Sequence, residues 1–141
     1  MALNQQLLLG RWAELEKRAT TIRFMVFVQE QQVPAALELD GHDADCIHAL
    51  IEVDGQAVAT GRLSPDGRIG RMAVLASYRG QGLGRSLLAG LLSAADQRGQ
   101  HETYLHAQMH AIGFYERLGF IAEGPEFDDA GIAHRLMRRT T

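Results

Sequence analysis

The stretch Val74–Arg85 reads VLASYRGQGLGR, and its reading decides the fold. An apolar, strand-like start gives way to Gly80, Gly82 and Gly84, and then to the most regular apolar spacing in the chain. Leu83, Leu87, Leu91 and Ala95 recur every four residues with Leu88 and Leu92 alongside, which predicts an amphipathic helix from about Gly82 to Arg98. Gly99 supplies its stop. The stretch is therefore a strand, a glycine-rich loop and a helix. A loop of that kind offers unpaired N–H groups and the positive end of a helix dipole, both of which suit a phosphate. Glycine lets the phosphate approach the backbone closely, and Arg79 and Arg85 add charge at either end.

Spacing removes two nucleotide-binding alternatives. A P-loop needs a lysine directly after its last glycine, and the only lysine in the chain is Lys17. A dinucleotide fingerprint needs G-x-G-x-x-G, whereas here Gly80-x-Gly82-x-Gly84 runs straight into Arg85. What remains is Arg79-x-x-Gly82-x-Gly84.

Upstream, His48–Val53 and Val58–Leu63 read as strands joined at Asp54-Gly55, a pair suited to the positive φ angles of a tight hairpin. Ser64–Gly67 is a second turn. Ile69–Val74 is a third strand, whose broken alternation around Gly70 to Met72 predicts a bulge. Leu7–Leu9 reads as a short strand and Arg11–Val28 as a helix with a break at Thr20-Thr21. The acidic run 38–45 reads as loop. Downstream come a strand at Thr103–His106, a helix at Ala111–Leu118, and strands at Phe120–Glu123 and Ile132–Met137. The order predicts an α/β fold with a mixed sheet and one helical crossover at its centre.

A length of 141 residues suits one domain, spanning 1–141. Net charge is −3, which does not point to a bulk nucleic-acid or anionic-membrane binder and leaves a local basic patch open. The single Cys46 excludes an internal disulfide framework. There is no apolar run of spanning length, and the amino terminus lacks a basic region, so a cytoplasmic protein is expected. The charge is unevenly spread. Residues 30–68 carry eight acids against Arg62 and Arg68, while residues 69–98 carry four arginines against Asp96. One reading has the basic middle holding an anion and the acidic front facing a cation. His42, Cys46 and His48 do not have the spacing of a zinc motif, so no metal is expected.

The pattern Arg79-x-x-Gly82-x-Gly84 after "RMAVLASY" resembles the acetyl-CoA pyrophosphate loop of the GNAT superfamily of N-acetyltransferases. "AIGFYERLGF" at 111–120 looks like a later motif of that superfamily. "RFMVFVQEQQVPAALELDGHD" at 23–43 and "EFDDAGIAHRLM" at 126–137 resemble its YjcF/ElaA-like subgroup. The similarity covers roughly residues 20–138. It implies a GNAT-like, mostly antiparallel sheet with a central splay and flanking helices. It also implies transfer of an acetyl group from acetyl-CoA, as co-substrate, to the amine of a small, cationic acceptor by direct attack.

By that resemblance, backbone amides around Arg79, Gly80 and Gly82 would grip the pyrophosphate, together with Gly84, Arg85 and Ser86. Met72, Ala73 and Val74 would lie beside the pantetheine arm, with Gln108 near it. A backbone N–H at Met72 or Val74 would polarise the thioester carbonyl. Tyr115 would protonate the leaving thiolate. Glu30 and His134 are the base candidates, with His48 a weaker one, while Glu30, Glu38 and Asp40 could instead attract a cationic amine. A silent acetyl-CoA-binding domain and a protein N-terminal or lysine acetyltransferase stay open as alternatives. The resemblance also permits a homodimer.

Overall fold

The strands β1 (Gln5–Arg11), β2 (Ile47–Val53), β3 (Gln56–Leu63) and β4 (Ile69–Val74) form one antiparallel sheet in the order β1-β2-β3-β4. The strands β5 (Glu102–Gln108), β6 (Ile121–Asp129) and β7 (Ile132–Thr140) form a second, in the order β5-β7-β6. These coordinates are a computed structural model that describes residues 4–141, so the first three residues of the anticipated 1–141 unit lie outside the described residues. Asp54 and Gly55 take φ of 50° and 83°, as the hairpin reading requires.

Among the described residues the two sheets meet at a single parallel bridge, Arg68 with Tyr104. There the Tyr104 N–H donates to the Gly67 carbonyl at 3.1 Å. Beyond that point β4 and β5 run apart. The helix α3 (Leu83–Gln97) makes the crossover between them and packs Leu87, Leu88 and Leu91, all fully buried, onto β2 and β3. Burying each leucine contributes roughly 1.5–3 kcal/mol.

The expected bulge lies in β4. Thr60 pairs with Ala73 and Arg62 with Gly70, so Arg71 and Met72 together oppose Gly61. Arg71 absorbs the extra residue at φ 51°. Gly61 is required by close approach, because a Cβ there would lie 3.0 Å from Leu91 and 3.1 Å from Met72.

Three local readings change. The helix α1 (Trp12–Arg23) runs unbroken through Thr20-Thr21, since the Thr21 hydroxyl donates to the Lys17 carbonyl at 2.9 Å instead of opening the turn. It then widens into a π-helix over Phe24–Glu30, a geometry that recurs at functional sites. The acidic run holds the end of a one-turn helix, α2 (Ala35–Glu38), and a 3₁₀ turn at Asp43–Asp45. Glu38 and Asp43 are buried, which a solvated loop would not do. The helix α4 (Ile112–Glu116) is shorter than the sequence suggests, and β6 and β7 are longer. No described helix is long and apolar enough to cross a membrane.

Candidate active site

A cavity of about 860 Å³ opens where β4 and β5 separate. The π-helix, β4, β5, α4 and the β6–β7 hairpin wall it. Strand β5 lines it with Leu105, His106 and Gln108. Thr103, Leu105 and Ala107 point into the core, so Tyr104, His106 and Gln108 point the other way.

The glycine loop stands at one mouth. Gly80 and Gly82 adopt φ of 78° and 82°, and Gly82 caps α3. Both therefore need glycine for conformation. A Cβ on either would meet nothing within 4 Å, so the space before the loop is open. The first α3 amide to find a helical partner is that of Ser86, on the Gly82 carbonyl at 3.1 Å. The amides of Leu83, Gly84 and Arg85 precede it and are free for an anion. Arg85 is exposed and forms no ion pair among the described residues. Gly84 lines the cavity, with Phe114 3.7 Å and Val74 4.0 Å from where a Cβ would lie. Open space, free amides and a positive helix end fit the pyrophosphate of a coenzyme A thioester.

Met72, Ala73 and Val74 form the β4 wall. The Leu75 N–H bonds to the Val58 carbonyl of β3 at 2.9 Å, so the peptide groups of Val74 face away from β3. The Val74 carbonyl accepts Arg79 Nε there at 2.9 Å.

Arg79 and Glu30 hold each other. Arg79 Nη1 and Nη2 donate to the two Glu30 carboxylate oxygens at 2.6 and 2.7 Å. The guanidinium keeps the Glu30 carboxyl below its ordinary pKa. A carboxylate so paired has little tendency to take a proton, so Glu30 does not stand as a free base.

Tyr115 projects from α4 between Phe114 and Phe120, edge-on to both at 5.1 and 5.9 Å between ring centres. Its hydroxyl lies 3.8 Å from Met72 Sδ. Burial pushes its pKa up to about 12, so the phenol keeps its proton at neutral pH.

Two histidines that line the cavity have partners that assign their tautomers. His134 Nδ1 lies 2.7 Å from the Ile132 carbonyl, which only accepts, so Nδ1 carries the hydrogen, and in the neutral tautomer the lone pair is on Nε2. His106 Nδ1 lies 3.0 Å from Arg68 Nη2, which only donates, so in His106 the hydrogen sits on Nε2. Phe127 stacks on His134 at 6.0 Å and meets the His106 ring edge-on at 5.1 Å. Burial and the Arg68 charge hold His106 below its ordinary pKa, against a smaller upward pull from Asp129. Gln108 donates from Nε2 to Gln31 Oε1 of the π-helix end at 3.0 Å and also lines the cavity.

The acids expected to attract a cation are already neutralised. Arg23 Nε meets Glu38 Oε1 at 2.5 Å and Arg23 Nη1 meets Asp43 Oδ1 at 2.7 Å, with all three residues buried. Arg62 binds Asp40 at 2.5 Å and Asp43 at 2.8 Å, and Arg71 reaches Asp40 at 3.3 Å. The acidic surplus at 38–43 is thus paired with arginine, which corrects the reading that it is free for a substrate. His48 is buried against the Asp43 carbonyl at 2.8 Å, and Cys46 Sγ donates to the His42 carbonyl at 3.3 Å, so neither turns toward the cavity.

Sequence reasoning passed over Arg68, His106 and Asp129, which all line the cavity. Strict alternation along Glu102–Gln108 is the signal that would have put His106 on the face of Gln108. Arg68 carries no such local signal.

The family profile "Acetyltransferase (GNAT) domain" matches residues 13–141. The chain belongs to the GNAT acetyltransferase family. Among its GNAT relatives, the N-acetyltransferase YjcF of Bacillus subtilis is 35% identical over 127 residues, covering 87% of this chain and 91% of YjcF. The crystal structure of an acyl-CoA N-acyltransferase from Pseudomonas aeruginosa superimposes with a TM-score of 0.87 at 34% identity, covering 99% of this chain and 100% of that one. Escherichia coli ElaA gives a TM-score of 0.87 at 28% identity, over 95% of this chain and 99% of ElaA. The GNAT fold and the YjcF/ElaA likeness implied by the sequence are both present.

Proposed function

We propose that the protein transfers an acetyl group from acetyl-CoA to the amine of a small acceptor by direct attack, with Tyr115 as acid and His134 as base. The observation that carries this reading is the pairing of unlike groups across one cavity: a phenol that keeps its proton, and an imidazole whose lone pair, in the neutral tautomer, is on Nε2. Acetyl-CoA supplies an activated thioester. The amides of the Gly80–Ser86 loop would hold its pyrophosphate, with the α3 dipole favouring the negative charge. Met72, Ala73 and Val74 would line the pantetheine arm, and N–H groups on the open edge of β4 would donate to the carbonyl oxygen as charge develops there.

The chain's residues then manage the protons. An alkyl ammonium with a pKa near ~10 must first lose one proton to solvent. As nitrogen bonds to the carbonyl carbon, its second proton passes to His134 Nε2. As the carbon–sulfur bond breaks, Tyr115 Oη gives its proton to the sulfur. The phenolate recovers a proton through water, and His134 releases the one it took. The balance is amide, thiol and one proton from ammonium and thioester. In this reading Glu30 is the ion-pair partner of Arg79 rather than a base.

The test is thiol release from acetyl-CoA with a panel of small amines. Tyr115→Phe and His134→Gln should each lower turnover, roughly ten- to a thousandfold for the phenol and about a hundredfold or more for the imidazole. Equal turnover in wild type and both variants would remove them from the mechanism, and acetyl-CoA binding without thiol release would favour a silent binding domain.

A further inference from the structure

We infer that the acceptor amine carries a carboxylate, received by Arg68 and His106. This rests on the acetyltransferase reading above and names the class of its acceptor.

Three arginines line the cavity: Arg68, Arg71 and Arg79. Arg71 reaches Asp40 at 3.3 Å, and Arg79 is bound by Glu30 at 2.6 Å. Arg68 forms no ion pair among the described residues. The nearest acid in sequence, Asp66, accepts from the Tyr104 hydroxyl and from the Arg68 backbone N–H at 3.2 Å, not from its guanidinium. Arg68 is half-buried, and its side-chain bond goes to His106 Nδ1 at 3.0 Å. A guanidinium has five N–H donors. Asp66 feels the Arg68 charge without touching the guanidinium, so most of the guanidinium's N–H donors are left for a ligand in the cavity.

His106 adds a second donor beside it. An Nδ1 that accepts from Arg68 carries no hydrogen, so the Nε2–H is the remaining polar group, and burial together with the Arg68 charge holds the ring below its ordinary pKa. The pair thus presents several N–H donors with a net charge of one. That matches a carboxylate, which is planar, singly charged and able to accept from two donors at once. A phosphate dianion would leave one negative charge in excess.

The same cavity holds an acid near this pair, and its charge is felt at the His106 ring. Asp129, where β6 ends, is a cavity carboxylate with no arginine partner among the described residues. It lies on the hairpin that carries His134 Nε2, the proposed proton acceptor. An ammonium received by Asp129 close to a carboxylate received by Arg68 and His106 describes a free amino acid. It does not describe a polyamine, nor the N-terminus of a peptide, whose carboxylate has become an amide.

The test uses the full chain loaded with CoA. Isothermal titration is run with N-acetylated amino acids and with their carboxamides, alongside thiol release with the free amino acids, their amides and phosphoethanolamine. At least one acid should bind about ten- to a hundredfold tighter than its own amide. Arg68→Gln should bring that ratio close to one, and Arg68→Lys, which keeps the charge, should retain part of it. Thermal unfolding and acetyl-CoA affinity establish that each variant is folded. The inference is overturned if every acid and amide bind alike, if the ratio survives in Arg68→Gln, or if phosphoethanolamine outdoes every amino acid. Transfer to amides with no preference for acids would sink this inference alone. Failure to bind acetyl-CoA would sink the acetyltransferase reading beneath it as well.

Discussion

Residues 38–43 and the β4–β5 splay use the same side-chain chemistry in opposite ways. In the first region Arg23, Arg62 and Arg71 close around Glu38, Asp40 and Asp43, and each charge meets a counter-charge of the protein itself. In the second, Arg68, His106, His134 and Tyr115 keep donor or acceptor capacity turned into a cavity. The first region is a wall and the second is a receptor. The contrast teaches that charge in a sequence says little about function until it is known which charges are already spent. Eight acids in residues 30–68 looked like an invitation to a cation, yet those nearest the cavity are bound to arginine.

Breaking the wall should have the largest effect. Arg23 is 1% exposed, and Arg23→Met leaves Glu38 and Asp43 buried with part of their neutralisation gone. Loss of one partner from a buried ion pair costs about 3–5 kcal/mol. Urea unfolding should show a drop of that size with an unchanged slope. A loss under about 1 kcal/mol would mean that water reaches the cluster, and the contrast with the splay would fade.

The receptor should betray itself in alkali. Tyr115 titrates near 12 in the fold, above the ordinary value near 10, so the folded protein keeps a proton that the unfolded chain releases. Its contribution is fully present below about pH 10 and falls by about 1.4 kcal/mol per pH unit as pH rises toward 12. Burial holds Tyr104 above its ordinary value as well, so the measurement is the difference between wild type and Tyr115→Phe. Parallel alkaline stability curves for the two would show that the phenol is not desolvated.

The exposed ion pair at the loop should matter least to stability. Glu30→Gln removes the partner of Arg79 at a site where surface pairs contribute about 0–1 kcal/mol. The melting temperature should barely move, while the freed guanidinium strengthens acetyl-CoA binding by severalfold. Weaker binding in that variant would assign Glu30 to holding the loop in its competent shape.

Much of the fold is legible in the sequence because its signals are local. Leucines every four residues fix α3, Asp54-Gly55 fixes a hairpin, and the broken alternation at Gly70 to Met72 marks the bulge. The π-helix is not legible, since Phe24–Glu30 shows the same apolar spacing that an α-helix would. The glycine loop and Tyr115 stand out in the sequence because each belongs to a contiguous motif. Arg68 and His106 do not, because they are thirty-eight residues apart and become a pair only where the two sheets touch.

The sequence by itself determined the order of strands and helices, the glycine conformations of the loop and the family, all properties of neighbours along the chain. The tertiary structure alone decided which charges are free. Pairing depends on distance in space, and a carboxylate next to a guanidinium inside the fold is no longer available to a substrate. That rule takes Glu38 and Asp40 away from the acceptor and leaves Arg68 to face it.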